Sequence, residues 1–325
     1  MKATAIAPSN IAFIKYWGKK DEVLRLPENG SISMNLSNLL TTTTVEFDNS
    51  FKNDSVVFNG KNEPIENNRA IKHIDRIRKL AKITTKVKII TENNFPSSTG
   101  LSSSASGFAA LTVAGVKAAG LKLSEKELSI IARQGSGSSC RSIPDGFVEW
   151  LDGDTNETSY AESLYAPDYW DIVDVVIITS TQKKDVSSSS GHKLAQSSPF
   201  FTVRKKHMKE KVSLCKKYLR AKDFKNFGEL LEAEALELHA IYLTSIPSLV
   251  YLLPATLRVM HMVKKWRQQG LQVYFTLNTG QDMHVICQKK DAKKVSLLLS
   301  KVDGVQKAII NHPSEGARLI SKHLF

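Results

Sequence analysis

The sequence predicts an α+β protein of two domains, on three observations. A length of 325 residues fits two domains or one large one, and an apolar content of 42% is enough for a true core and argues against disorder. Strand-like and helix-like stretches mix without strict alternation, the pattern of α+β chains. A Ser-rich stretch interrupts that pattern near residue 185, which predicts domains at 1–185 and 186–325.

The chain opens with strand-like "TAIAPSNIAFIKYW" and the β-branched "TTTTVEF". "PIENNRAIKHIDRIRKLAKI" has helical spacing at Ile71, Ile74, Ile77 and Leu80 with basic residues between. "KVKIITENNFP" reads as a strand that turns at Asn93 and Asn94. A Gly/Ser loop then runs into a small, nearly all-apolar helix closed by Gly120. "SEKELSIIAR" starts with a capping box, Ser124 with Glu127. "IVDVVIITS" is a short apolar run of the buried-strand kind, followed by "KKDVSSSSGHKLAQSSP". Residues 200–265 read as mainly helical, "LQVYFTLN" and "MHVICQK" as strands, and "DAKKVSLLLSKV" and "KAIINH" as a closing helix and strand. No internal repeat or low-complexity linker is present.

Charge narrows the partners. Lys and Arg number 45 against 32 Asp and Glu, a net +13, which suits phosphorylated metabolites, nucleotides, nucleic acid or a membrane surface. The same excess also fits lysines on solvated faces. No aromatic-interleaved basic stripe supports a nucleic-acid partner. No run approaches the ~18 apolar residues of a membrane span, and the first twenty residues lack a signal-peptide core. Cys140, Cys215 and Cys287 are widely spaced, with no disulfide or zinc pattern. A cytoplasmic protein is expected.

Three stretches could carry chemistry. "PSSTGLSSSASG" (96–107) is a Gly/Ser loop opening a helix, whose free N–H groups and dipole favour an anion. Its serines 102–104 add donors and magnesium ligands, and it lacks the G-x-x-x-x-G-K-[ST] pattern. A plain serine N-cap explains the same residues. In "APSNIAFIKYWGKK" (7–20), Lys15 lies in an apolar strand, where a lysine is costly unless paired or facing a site, with Asn10, Tyr16 and Lys19 nearby. An edge-strand lysine facing water is the alternative. "RQGSGSSCRS" (133–142) ends in Arg141, suited to bidentate phosphate or carboxylate binding or, more simply, to a surface loop.

Taken with "LPENGSISMNL", "GSGSSCRSIPDGFVEW" and "ALELHAIYLTSIPSLVYL", and in this order to about residue 290, these stretches resemble the mevalonate diphosphate decarboxylase family, a branch of the GHMP kinase superfamily. "IKYWGK" and "GSGSSCRS" are the most specific pieces. The resemblance implies a GHMP kinase-like N-terminal domain, a ferredoxin-like α+β C-terminal domain and a deep cleft between them. It implies ATP-dependent phosphorylation of a tertiary 3-hydroxyl on mevalonate 5-diphosphate, then joint loss of CO₂ and phosphate to give isopentenyl diphosphate. ATP and Mg²⁺ are the implied cofactors, and homodimers are common in the family.

By the same resemblance, Pro96, Ser98, Gly100, Leu101, Ser102, Ser103, Ser104 and Ser106 would hold ATP, with Ser104 at the magnesium. Asn10, Tyr16, Lys19, Ser139, Arg141 and Ser188 would hold the phosphorylated substrate, with Arg141 near its carboxylate. Lys15 would point to the reacting centre, its charge favouring an ionised partner. Lys and Ser contacts suit a 5-monophosphate as well as a 5-diphosphate.

The departure is "TLNTGQD" (276–282), where the family reads T-x-D-A-G-P-N. Asn278 stands at the position of the aspartate beside the 3-hydroxyl. An amide keeps the shape and the hydrogen bond but accepts no proton at neutral pH. Asp282, four residues on, is not expected to replace it, because Gly280 bends the chain between them. Three readings follow: an isosteric replacement that binds and stalls, a relative that stops at the 3-phosphate, or a site that needs only positioning and metal.

Overall fold

The structure is a computed structural model that describes residues 1–96, 100–180, 182 and 186–325, with the backbone alone for 188 and 189. Its first part runs β1 (Lys2–Ile14), β2 (Lys19–Asp21), β3 (Leu26–Pro27), β4 (Ser31–Phe47), β5 (Ser55–Phe58), β6 (Lys61–Asn62), α1 (Arg69–Ala81), β7 (Val87–Asn93), α2 (Ser103–Ala118), α3 (Glu125–Gly135), β8 (Phe147–Trp150) and β9 (Ala161–Tyr165). A 3₁₀ turn, Gly137–Ser142, sits between α3 and β8. The second part runs β10 (Ile172–Ile178), α4 (Ser188–Lys193), α5 (Phe201–Ala221), α6 (Phe224–Thr244), α7 (Pro254–Gln268), β11 (Val273–Thr276), β12 (Met283–Gln288), α8 (Ala292–Leu299), β13 (Lys307–Asn311) and β14 (Arg318–Ile320).

The first sheet has eight strands, ordered β14-β1-β4-β7-β5-β6, with β8 and β9 branching from β4. The threonine run predicted as a strand is the far half of β4, which pairs with β7, while its near half pairs with β8. β1 and β4 lose register between Pro8 and Asn10, at a bulge that a strand proline tolerates. That bulge lies between the regular pairing of residues 2–8 and the stretch that carries Asn10 and Lys15.

α2 is buried almost all round because its residues are small, and it packs with Ile74 and Ile77 of α1 against Val45 and Ile89 of the sheet. The predicted capping box of α3 is present. Leu80, at the end of the predicted apolar stripe, is exposed.

The second sheet is antiparallel, ordered β11-β12-β10-β13, the order of a split βαββαβ unit. Val173, Val175 and Ile177 on one face of β10 pack with α7 and α8. Ile172, Val176 and Ile178 on the other join a core that includes Ile11 and Phe13 of β1 and Phe227 of α6. Because β10 pairs with β12 and β13, we place the junction before Ile172 and not at 185. The Ser-rich stretch lies inside the second unit, between β10 and α5. β14, which the sequence did not suggest, returns to pair with β1. Among the described residues no helix is long and apolar enough to cross a membrane.

Candidate active site

The lysine in the apolar strand is buried on the wall of a cleft and does not face bulk water. Lys15 follows β1 and is 2% exposed. Its Nζ donates to the Ala12 carbonyl at 2.6 Å and to Asn278 Oδ1 at 3.2 Å. Burial pulls its pKa down to about 7, opposed by Glu234 and helped by Arg141 and Arg204. Its backbone is gripped on both sides. The N–H donates to Glu234 Oε1 at 2.9 Å, and the carbonyl accepts from Asn29 Nδ2 and Arg204 Nη2. Glu234 is itself bound by Arg204 and Lys211.

Asn278 lies just past β11 and bridges two parts of the chain. Its Oδ1 accepts from Lys15, and its Nδ2 donates to Ser102 Oγ at 3.1 Å. His239 Nε2 donates to its backbone carbonyl at 3.2 Å, and burial lowers the His239 pKa to about 4, so this imidazole is neutral. Asp282 points elsewhere, its Oδ1 accepting from the Thr179 N–H at 2.9 Å. It does not line the cleft.

The loop before α2 does not carry the serine cap that the sequence also allows. Ser102 is in the left-handed region at φ 55 and makes no side-chain cap bond. Its hydroxyl accepts from Asn278 instead, so the dipole end of α2 stays open to an anion. Gly100 approaches Gly280 so closely that a Cβ would sit 2.7 Å from the Gly280 Cα, and its φ is +117. The Gly/Ser loop and the 276–282 turn therefore touch backbone to backbone.

These groups line one cleft of about 200 Å³. Lys19, Arg25, Arg69 and Arg141 contribute four cationic side chains, Lys15 adds an amine whose pKa burial lowers to about 7, and among the described residues no carboxylate lines it. Arg141 is 3% exposed and bonds Ser31 Oγ at 2.7 Å and Asn10 Oδ1 at 3.3 Å, leaving its Nε without a partner among the described residues. Asn10 is held by the Ser138 carbonyl and Ser142 Oγ and reaches the cleft through Arg141. The Tyr16 ring packs on Trp150 and His192, and burial raises its pKa. Lys19 lies at the cleft but pairs with Glu22 at 2.6 Å.

Several expected contacts fall elsewhere. Ser139 Oγ donates to the carbonyls of Ala132 and Ser136, because the 3₁₀ turn aims it back at α3, and Ser138 lines the cleft instead. Leu101 is a core side chain whose carbonyl accepts from Ser9. Ser106 is buried against Thr41 Oγ1 at 2.6 Å. Pro96 does not line the cleft. Ser98 lies outside the described residues, as does the side chain of Ser188, while Ser187 lines the cleft. Ser102, Ser103 and Ser104 line the cleft, with Ser104 and Ser136 sharing a hydrogen bond of 3.2 Å.

The sequence reading missed Arg25, Arg69 and His192. Arg69 carried a signal: it opens α1, a helix with no acid in its first turn, where a cation opposes the dipole. His192 sits between the rings of Tyr16 and Trp17, and its Nδ1 accepts from the Gly18 N–H at 3.1 Å. A second cavity, of about 240 Å³, shares Ser103 and Ser104 with the cleft and is walled by Phe58, Ile89, Phe108 and Leu111.

No group of three or more His, Cys, Asp or Glu able to hold a metal occurs among the described residues. The oxygens offered here are hydroxyls, Ser104 among them. That set fits a magnesium ion held mainly by phosphates and water and less by protein.

Comparison with known proteins gives consistent matches. The model of the diphosphomevalonate decarboxylase-like N-terminal domain matches residues 7–161. That of the mevalonate 5-diphosphate decarboxylase C-terminal domain matches 174–319. A diphosphomevalonate decarboxylase of Candida albicans is 36% identical over 317 residues, covering 92% of this chain and 88% of its own. A solved structure described as MDDEF in complex with MVAPP, AMPPCP and magnesium superposes with a TM-score of 0.93 at 34% identity, covering 99% of each chain. The mevalonate diphosphate decarboxylase of Staphylococcus aureus superposes at 0.92 with 36% identity, covering 98% of each chain.

Proposed function

Because the chain belongs to the mevalonate diphosphate decarboxylase family, we propose that it binds mevalonate 5-diphosphate and ATP in this cleft. It phosphorylates the 3-hydroxyl and then eliminates CO₂ and phosphate to give isopentenyl diphosphate. The observation that carries this reading is a cleft lined by four cations and the Lys15 amine and, among the described residues, by no carboxylate, closed by an uncapped helix N-terminus. A substrate with a carboxylate and a diphosphate, met by a nucleoside triphosphate, is the kind of partner such a field selects. A relative solved with MVAPP, AMPPCP and magnesium supports the same set of ligands.

The open end of α2 and Ser102–Ser104 receive the ATP phosphates. The apolar second cavity next to Ser103 and Ser104 suits the nucleoside. The Ser104 hydroxyl would be the protein's ligand to magnesium, which would supply charge neutralisation on the phosphates. Arg141, held flat by Ser31 and Asn10, meets the carboxylate with its unpartnered Nε, and Tyr16, Lys19, Ser138 and His192 surround the diphosphate. The buried free thiols of Cys140, Cys215 and Cys287 support a reducing, cytoplasmic setting.

Asn278 holds the place of the family aspartate and hydrogen-bonds like it without accepting a proton. Phosphoryl transfer here proceeds without a carboxylate at that position. The decisive measurement is stoichiometry with mevalonate 5-diphosphate. A decarboxylase releases one CO₂ per ADP, whereas ADP without CO₂ would make the chain a kinase that stops at the 3-phosphate.

A further inference from the structure

The missing carboxylate raises the question of where the hydroxyl proton goes. Asn278 cannot take it, Asp282 is turned to Thr179, and no carboxylate lines the cleft among the described residues. Glu234, a buried acid that touches the Lys15 backbone, is engaged by the Lys15 N–H, Arg204 and Lys211. The amine of Lys15 lies on the cleft wall and is the basic group bonded to the Asn278 side chain among the described residues.

Its geometry is that of a base. A lysine nitrogen has four tetrahedral positions, one of them its own carbon. Two N–H bonds are accounted for by the Ala12 carbonyl and Asn278 Oδ1. Among the described residues the third position has no protein acceptor. In the ammonium form it would hold an unmatched N–H, and in the amine form it holds the lone pair.

The charges around Lys15 divide. Arg141 from the 3₁₀ turn and Arg204 from α5 disfavour the ammonium. Glu234 from α6 and Asp174 from β10 favour it, and His239 from α6 is neutral. Burial exceeds each of these, and the balance places the pKa at about 7, in the range where an amine serves as general base.

We propose that the neutral amine of Lys15 takes the proton of the substrate's tertiary hydroxyl and later gives it to the departing phosphate. This rests on the function proposed above, and it makes one residue both base and acid. In the first step the hydroxyl O–H bond breaks as its oxygen bonds the γ-phosphorus. ADP leaves with the electrons of the old P–O bond, and the proton goes to Nζ. In the second, the bond from C2 to the carboxylate breaks and CO₂ leaves. Its electron pair forms the C2–C3 double bond, and the C3–O pair departs with phosphate. The ammonium returns its proton to that phosphate, giving hydrogen phosphate and a neutral Lys15. The proton count closes within one turnover.

The test is the pH dependence of kcat/KM for ADP release from mevalonate 5-diphosphate, between pH 6 and 9 with saturating MgATP. The unmodified chain is expected to rise through pH about 7 to a plateau, with the value at pH 6 roughly tenfold below it. A rate that falls as pH rises through 7 would mean that Lys15 acts by its charge, and would overturn the proposal without needing any variant. Lys15→Arg keeps the charge and cannot accept a proton. It should lose on the order of 10²–10⁴ in kcat, and activity within threefold of the parent would also overturn the idea. Asn278→Asp restores a carboxylate, so its limb should move to lower pH and the two proteins should converge toward pH 9. If Asn278→Asp forms ADP and CO₂ while the parent forms neither even at pH 9, the base role falls and the family function stands. If neither protein acts on mevalonate 5-diphosphate, the functional reading falls first and takes this proposal with it.

Discussion

Replacing Gly100 by alanine should separate binding from turnover. The new Cβ would sit 2.7 Å from Gly280 Cα and 3.2 Å from its nitrogen, backbone against backbone. Carbon atoms rest at about 3.5–4.0 Å, so the phosphate loop and the 276–282 turn must part by about 1 Å. Asn278 spans that seam with bonds of 3.2 Å to Lys15 and 3.1 Å to Ser102, and a parting of that size breaks at least one of them. Misplacing reacting groups by about 1 Å costs on the order of 10²-fold in rate. The backbone adds a separate cost of about 1–3 kcal/mol in stability for a non-glycine residue at φ +117. Gly270→Ala is the control: its φ is +93, nothing lies within 4 Å of the added Cβ, and it does not line the cleft. Both variants should unfold at lower temperature, and Gly100→Ala alone should lose about 10²-fold in kcat for ADP release. If its kcat stays within threefold of Gly270→Ala, the loop–turn contact does not set the reacting geometry and the argument is wrong.

Two further outcomes concern stability. Glu234→Gln leaves Arg204, 1% exposed, without its buried carboxylate and should cost about 3 kcal/mol. Glu237→Gln breaks a 36%-exposed arm of the same network and should cost below about 1 kcal/mol; urea unfolding of the pair measures the difference, and equal losses would count against the buried clamp on Lys15. Burial depresses His73 to about 3 and His239 to about 4. Being lowered in the folded state, each contributes its full stability above pH ~6.5 and loses it as pH falls toward the folded value. By pH 5 each should have cost about 2 kcal/mol. Urea midpoints at pH 7 and 5, with His73→Gln losing its own share of the difference, check this.

Much of the cleft was legible because its chemistry is local. A buried-looking lysine in an apolar strand and a Gly/Ser loop before a small-residue helix each point to a site without knowledge of the rest of the chain. What escaped depends on direction and distance. Ser138 and Ser139 are chemically alike, and the 3₁₀ turn alone sends one to the cleft and the other into α3. Arg25 reaches the cleft from a left-handed position next to β3, which no periodicity marks. Glu234 and Arg204 look like ordinary charges on amphipathic helices, and their grip on Lys15 exists only once α5 and α6 pack on β1. The Ser-rich stretch reads as a loop, yet α4 starts within it at Ser188, and composition says nothing about which sheet a strand joins, so a boundary at 185 parts β10 from its partners β12 and β13.

β14 carries a consequence for how the molecule is made. Its three residues complete the edge of β1, the first strand of the chain. They leave the ribosome roughly 150 residues after β9, which at 5–20 residues per second is a delay on the order of ten seconds or more. Through that interval β1 has an open rim, a template for another strand. The two halves are thus not separable cassettes. A cut ahead of β10 would hand the closing strand of the first sheet to the wrong fragment, and coexpressed halves would have to reunite before either sheet was whole.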